Sequence, residues 1–219
     1  MRLRAASGVQ NLSVMLERAM WLNVDWERGQ SNISQLLEDD PFRERIFDAE
    51  QRYATDETAG FAEYLSLAER GSVFSMDKVA QCYDEGRGAT QSRRKAMDWL
   101  RRAFEAGSTY ALLNYGRALI TGGELAAAEE VFKNGAADGW PPAQCWFAVV
   151  KIMRDDAPAS WRAARPMLKK AAEKQSPAAK WLLAYGGARG KFGLADVWIG
   201  ARTLIQLSDH MGDSSPPRH

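Results

Sequence analysis

Residues 72–107 read SVFSMDKVAQCYDEGRGATQSRRKAMDWLRRAFEAG, and this stretch decides the fold because the chain repeats its pattern. Taking Ser75 as the start, equivalent positions fall at Ala111, Ala143 and Ala179, at spacings of 36, 32 and 36 residues. Four places on, each copy has a large residue: Val79, Tyr115, Phe147 and Leu183. The next place is always small, at Ala80, Gly116, Ala148 and Ala184. The second half of each unit repeats as well. Ala96, Ala128, Ala164 and Gly200 form a small column, and Leu100, Phe132, Leu168 and Leu204 a large one. Fixed-period self-similarity of this length marks a repeat array.

Large and small residues at i, i+4, i+5 and i+8 place one stripe of each helix against its neighbours. The pattern therefore predicts helix–turn–helix units. Gly86, Gly122 and Gly190 fall where the first helix must end, a place where glycine accepts a left-handed backbone. Ser92, Ser160 and Asp196 share a column just before the second helix, where an oxygen side chain caps free N–H groups. The second unit is four residues short, which predicts a trimmed turn around Gly122 and Gly123.

Tyr83-x-x-Gly86-x-Gly88, followed by Lys95-Ala96-x-x-Trp99-Leu100-x-x-Ala103-x-x-x-Gly107, resembles a Sel-1-like repeat, a branch of the tetratricopeptide-like helical solenoids. Ala111-x-x-x-Tyr115-Gly116 and Ala143-Gln144-x-x-Phe147-Ala148 resemble the first-helix signature of the same family. The resemblance implies an all-α, right-handed α-α superhelix, a solenoid of helix–turn–helix repeats. It covers residues 72–211 as four units of about 72–107, 108–139, 140–175 and 176–211. It also implies a bacterial protein that works through protein–protein contacts. The third unit departs from the family with Lys151 at an aromatic position, and the fourth with Gly187.

Upstream, Phe61, Tyr64, Leu65 and Ala68 share a helical face, and Pro41 opens another helical stretch through Ile46, Phe47 and Tyr53. Residues 40–71 are thus expected to form a divergent repeat. Residues 1–39 are expected to form a cap region, with an amphipathic helix over 9–24 carrying Leu12, Leu16, Met20 and Trp21. Residues 212–219 read as a disordered tail.

Composition limits the chemistry. Twenty-nine basic residues against twenty-eight acidic ones leave a net charge of +1, which argues against a dedicated nucleic-acid binder. No apolar run is long enough to span a bilayer, and Gln10, Asn11, Glu17 and Arg18 interrupt any signal-peptide core, so the expected location is cytoplasmic. Cys82 and Cys145 are the only thiols and His210 and His219 the only imidazoles, so no metal site and no cofactor are expected. Nucleotide, zinc-protease and serine-hydrolase motifs are missing. Ser75-Met76-Asp77-Lys78 matches SxxK without its companion elements and lies in a packing column. Glu38-Asp39-Asp40, Glu129-Glu130 and Asp155-Asp156 read as solvated carboxylates, and the basic runs Arg93-Arg94-Lys95, Arg101-Arg102 and Lys169-Lys170 as an outer face. No enzyme is expected.

The face opposite the core stripe carries the functional reading. At 100° per residue it holds Asp77, Lys78, Gln81 and Asp84 in the first unit and Leu113, Asn114, Arg117 and Ile120 in the second. The third presents Cys145, Trp146, Val149 and Ile152, and the fourth Trp181, Leu182, Tyr185 and Ala188. Such an aromatic and aliphatic surface demands a cover. The expected cover is another protein's helix or extended peptide, contacting Leu113, Arg117, Trp146, Val149, Trp181 and Tyr185 in a concave groove. Two alternatives stay open: the chain covers the patch itself, or a homodimer buries it as part of a self-associating structural subunit. A glycan or small-molecule enzyme using the Trp-lined concavity is the remaining alternative.

Overall fold

The structure is a computed structural model that describes residues 23–211. The expected 9–24 helix and the expected tail from 212 lie almost wholly outside these residues. Among the described residues there are twelve helices and no strand. The chain divides into two compact units, one spanning Arg28–Val131 and the other joining the residues up to Glu27 with those from Phe132 onward. The division falls inside α1 (Val24–Gln30) and α8 (Leu125–Ala137).

The Arg28–Val131 unit contains α2 (Ile33–Glu38), α3 (Arg43–Thr55), α4 (Glu57–Glu69), α5 (Val73–Glu85), α6 (Arg93–Glu105) and α7 (Thr109–Thr121). From α3 to α7 each helix packs on the next, and α2 lies against α5. The core runs through Ile46, Tyr64, Leu67, Val79, Trp99 and Ala103, with Ile33 and Leu37 of α2 closing over it. Each large apolar side chain there contributes about 1.5–3 kcal/mol when removed from water. The other unit contains α9 (Pro141–Arg154), α10 (Pro158–Glu173), α11 (Pro177–Ala188) and α12 (Ala195–Met211), again packed in sequence order. Its largest fully buried side chain is Trp161, whose indole donates to Asp156 at 2.6 Å and whose ring meets Phe192 edge-on.

The repeat columns explain how closely the helices approach. Ala80, Ala96, Ala103, Ala111, Ala128, Ala143, Ala148, Ala164 and Ala171 are all buried. A Cβ at Gly200 would collide with the backbone of Ala184 and Ala188, so α11 and α12 touch through their main chains. The turn from α7 to α8 has three residues, Gly122–Glu124, against seven, Gly86–Ser92, between α5 and α6. That accounts for the four missing residues.

Some local expectations are corrected. Gly86 ends α5 at φ 71°, as read, but Gly122 has φ −76° and the left-handed residue is Gly123 at φ 79°. The tighter turn moves that position by one. Ser92 caps α6, accepting from Lys95 N. Ser160 and Asp196 instead lie inside α10 and α12. Proline at the start of α10 lets that helix begin early, and Asp196 is ion-paired with Arg165 at 2.5 Å. The carboxylates read as solvated are also structural in part. Asp40 accepts from Phe42 N and Ser72, while Asp155 accepts from Ala157 N and Ser160.

Gly60 tests the close approach of α3 and α4, because an added Cβ there would meet the main chain and Cβ of Tyr53. Gly60→Ala is expected to cost about 1–3 kcal/mol, since backbone cannot step aside as a flexible side chain can. Gly29→Ala has open space and a helical backbone and is expected to be neutral or slightly stabilising. Urea midpoints of the two variants check this, and equal midpoints would contradict the packing.

Candidate functional site

Three first helices begin in the same way. Ser72, Ser108 and Ser176 are N-caps whose hydroxyls accept from the N–H of Ser75, Ala111 and Ala179. A capping hydroxyl still has its own proton to donate, and burial obliges it to find an acceptor. Ser72 donates to Asp40 at 2.7 Å, Ser108 to Asp77 at 2.7 Å and Ser176 to Asn23 at 3.0 Å. Cys145 stands in the same repeat column as Asp77, and its sulfur lies 3.9 Å from Ser176 Oγ. Burial pushes the Cys145 thiol up to about 12.

In the unit built on α9–α12, residues 23–27 occupy the face expected to hold a partner. Asn23 and Glu27 are each only 1% exposed. Asn23 Oδ1 accepts from Ser176 and from Ala178 N, and Asn23 Nδ2 donates to Glu27 Oε1 at 3.0 Å. Glu27 Oε1 also accepts the Trp146 indole N–H at 2.7 Å. Trp26 donates from its indole to the Lys174 carbonyl at 2.7 Å. Trp146 stacks on Phe132 with centroids 5.5 Å apart, and Trp181 stacks on Tyr185 at 5.0 Å.

Of the residues read as partner contacts, Leu113, Trp146, Val149, Trp181 and Tyr185 are therefore buried, and only Arg117 is half-exposed. Trp146 is 2% exposed and Trp181 7%. The reason is that a first helix is covered on two sides, by its helical neighbours and by material lying along the opposite face. Sequence reasoning found the aromatic surface but missed Asn23 and Glu27. Their only signal is that the two polar residues lie at i, i+4, next to Val24 and Trp26.

The Arg28–Val131 unit uses the same device. Asn32 Oδ1 accepts from Thr109 N and Oγ1, and Asn32 Nδ2 donates to the Gly107 carbonyl at 2.9 Å. Its first helices leave a cleft of about 410 Å³ lined by Asp77, Gln81 and Asp84 of α5, Arg93 and Met97 of α6, and Tyr110, Asn114 and Arg117 of α7, among others. Arg117 donates to Asn114 Oδ1 at 2.6 Å. Ser75 and Lys78 do not form a nucleophile pair: Ser75 Oγ meets Ser72 Oγ, while Lys78 pairs with Glu50 at 3.5 Å. No group of three or more His, Cys, Asp or Glu among the described residues is arranged to hold a metal ion, and no helix there is long and apolar enough to cross a membrane.

This architecture defines the class: an all-α solenoid of sequentially packed helix pairs. It is similar to a Sel1 repeat protein from Oxalobacter formigenes, with 16% identity and a TM-score of 0.63 over 77% of this chain and 76% of that one. It is also similar to a protective antigen present in uropathogenic Escherichia coli strains, which displays a Sel-1-like repeat fold, with 15% identity and a TM-score of 0.64. There the match covers 97% of this chain and 51% of the other, so this chain spans about half its length. The chain has the Sel-1-like repeat fold. No family model and no curated protein matches the sequence.

Asp77 gives the unit a measurable signature. Burial pushes its carboxyl from 3.8 up to about 7, against the opposing pull of the Ser108 hydrogen bond. Between those values the folded chain holds a proton that the unfolded chain has released. Stability from this group is therefore full below about pH 4 and is lost as pH rises through about 7, at no more than ~1.4 kcal/mol for each pH step of one. Asp77→Asn keeps the shape without the charge. It is expected to flatten the stability loss between about pH 4 and pH 7. Parallel pH profiles for the two chains would remove Asp77 as the source.

Proposed function

We propose that this chain is a non-catalytic protein-interaction scaffold whose first helices receive a helix or extended peptide on their inner faces. Trp146, Val149, Trp181 and Tyr185 are the anchoring residues in one unit, and Leu113 and Arg117 are their counterparts on α7 in the other. One observation carries this reading: a segment of the chain itself, Asn23–Glu27, sits on that face and is held by Trp146, Ser176 and Lys174. A surface that binds a short segment through two side-chain anchors and a backbone carbonyl is chemically a peptide seat. A partner takes the seat by displacing the resident segment, which makes residues 23–27 an internal competitor. The buried, free thiols Cys82 and Cys145 fit a reducing, cytoplasmic compartment.

A second reading, self-association into a structural assembly, is favoured by α12 and the residue before it. There Leu194, Trp198, Ile199 and Ile205 are exposed. The mass of the chain in solution separates this reading from the first.

The seat is tested with a fluorescent peptide of residues 23–31 added to the full chain. Asn23→Ala combined with Glu27→Ala removes the internal competitor's anchors and is expected to raise peptide affinity at least tenfold over the parent chain. Trp146→Phe added to that variant keeps the ring but loses the indole donor, and it is expected to reverse most of the gain. Peptide binding that is equally weak in all three chains would reject the seat.

A further inference from the structure

We propose that the cleft between α5, α6 and α7 binds an alkylammonium or guanidinium group, with the Asp77 carboxylate as its acceptor. The proposal concerns the Arg28–Val131 unit and does not depend on the peptide seat of the other unit.

The starting observation is an unfinished hydrogen-bond set. Asp77 is 6% exposed and lines the cleft. Its Oδ2 accepts from Ser108, but Oδ1 is buried with no hydrogen-bond partner. A buried carboxylate oxygen without a donor is costly, and each such atom in a folded protein requires an explanation. The guanidiniums on the cleft wall do not supply the donor. Arg93 Nη2 donates to the Ala118 carbonyl at 2.9 Å, and Arg117 Nη2 to Asn114 Oδ1. A ligand that brings its own N–H completes the set.

The rest of the cleft bears on the shape of that ligand. Asp84 and Glu85 join Asp77 on the α5 wall, and Arg93 and Arg117 face them with an Nη2 already given to the Ala118 carbonyl and to Asn114 Oδ1. Asp84 lies two helical turns from Asp77, on the same face of α5, and places a second acceptor farther along the cleft. Ala80, Ala96, Met97 and Leu100 supply an apolar side against which a methylene chain can lie. Long cationic chains bury their stems in this manner while the charged head finds a polar partner. The carboxylates do not converge as a metal-ligand set among the described residues. An organic cation with a short alkyl stem fits these features. It comes either as a free amine or as the Lys or Arg side chain of a peptide.

Calorimetric titration of the full chain tests this with agmatine, n-pentylamine and the capped peptides acetyl-Gly-Arg-Gly-amide and acetyl-Gly-Lys-Gly-amide. At least one probe is expected to bind saturably. Asp77→Asn is expected to weaken that probe about tenfold or more, and the exposed Asp84→Asn about threefold, with helical circular dichroism retained. Tighter binding of the free amines identifies a small-molecule ligand, and tighter binding of the peptides identifies a partner's side chain. Asn23→Ala with Glu27→Ala leaves these affinities unchanged, which keeps this test separate from that of the peptide seat. No saturable binding of any probe up to ~10 mM would overturn the proposal. So would affinities that neither Asp77→Asn nor Asp84→Asn changes.

Discussion

The capping serine is the constraint around which each unit is arranged. A hydroxyl at the head of a buried helix accepts one backbone N–H, and its single proton must then go to an acceptor outside that helix. In this chain the acceptors are Asp40, Asp77 and Asn23. Asp77 stands one repeat earlier, so the bond to Ser108 fixes how one first helix sits against the next. Asp40 and Asn23 come from outside the helix pairs, and there the same bond attaches the N-terminal segment. Asn32, which grips Gly107 and Thr109, adds another attachment of the same kind. Along the sequence these three connectors are spaced by nine and eight residues, Asn23 to Asn32 to Asp40. That spacing differs from the ~3.6-residue period of an amphipathic helix.

The helix-pair fold was legible because small residues are informative where backbones meet. Ala80, Ala96 and Gly200 recur for a reason that acts on any sequence adopting these contacts, so their columns survive where the larger residues drift. The shortened turn at Gly122–Glu124 was legible from the spacing alone. The inner face was legible only as chemistry. Trp146 and Trp181 announced an apolar surface in need of a cover, yet nothing in a periodic pattern names the cover. The residues that supply it, Asn23 and Glu27, are polar and carry no periodic signal. Their burial follows only from pairing with Ser176 and Trp146, which lie more than a hundred residues away in sequence. Asp40 was likewise hidden in an acidic run, although it is a buried acceptor.

A seat filled by the chain's own segment has thermodynamic consequences for the scaffold reading. Tethered segments act at effective concentrations on the order of millimolar, so an external peptide must exceed the resident's affinity by its own contacts. Opening also breaks the buried hydrogen bond from the Trp146 indole to Glu27, which raises its cost. A competing partner is thus favoured if it presents an acceptor at the Glu27 position and an amide at the Asn23 position. Selectivity then comes from replacing two buried polar connectors, because apolar contact with Trp181 or Tyr185 is available to many sequences.

The two inner faces differ for the same physical reason. The aromatic face of α9 and α11 gains by losing water, so a nearby segment of the chain settles onto it. The face of α5 carries Asp77, Gln81 and Asp84, and covering these with apolar material would strand carboxylates without partners. It therefore keeps a cleft where the other face is closed. Even so, Asp77 lies deep enough to lose its water without gaining a second donor. In the cation proposal, a ligand N–H supplies that second donor.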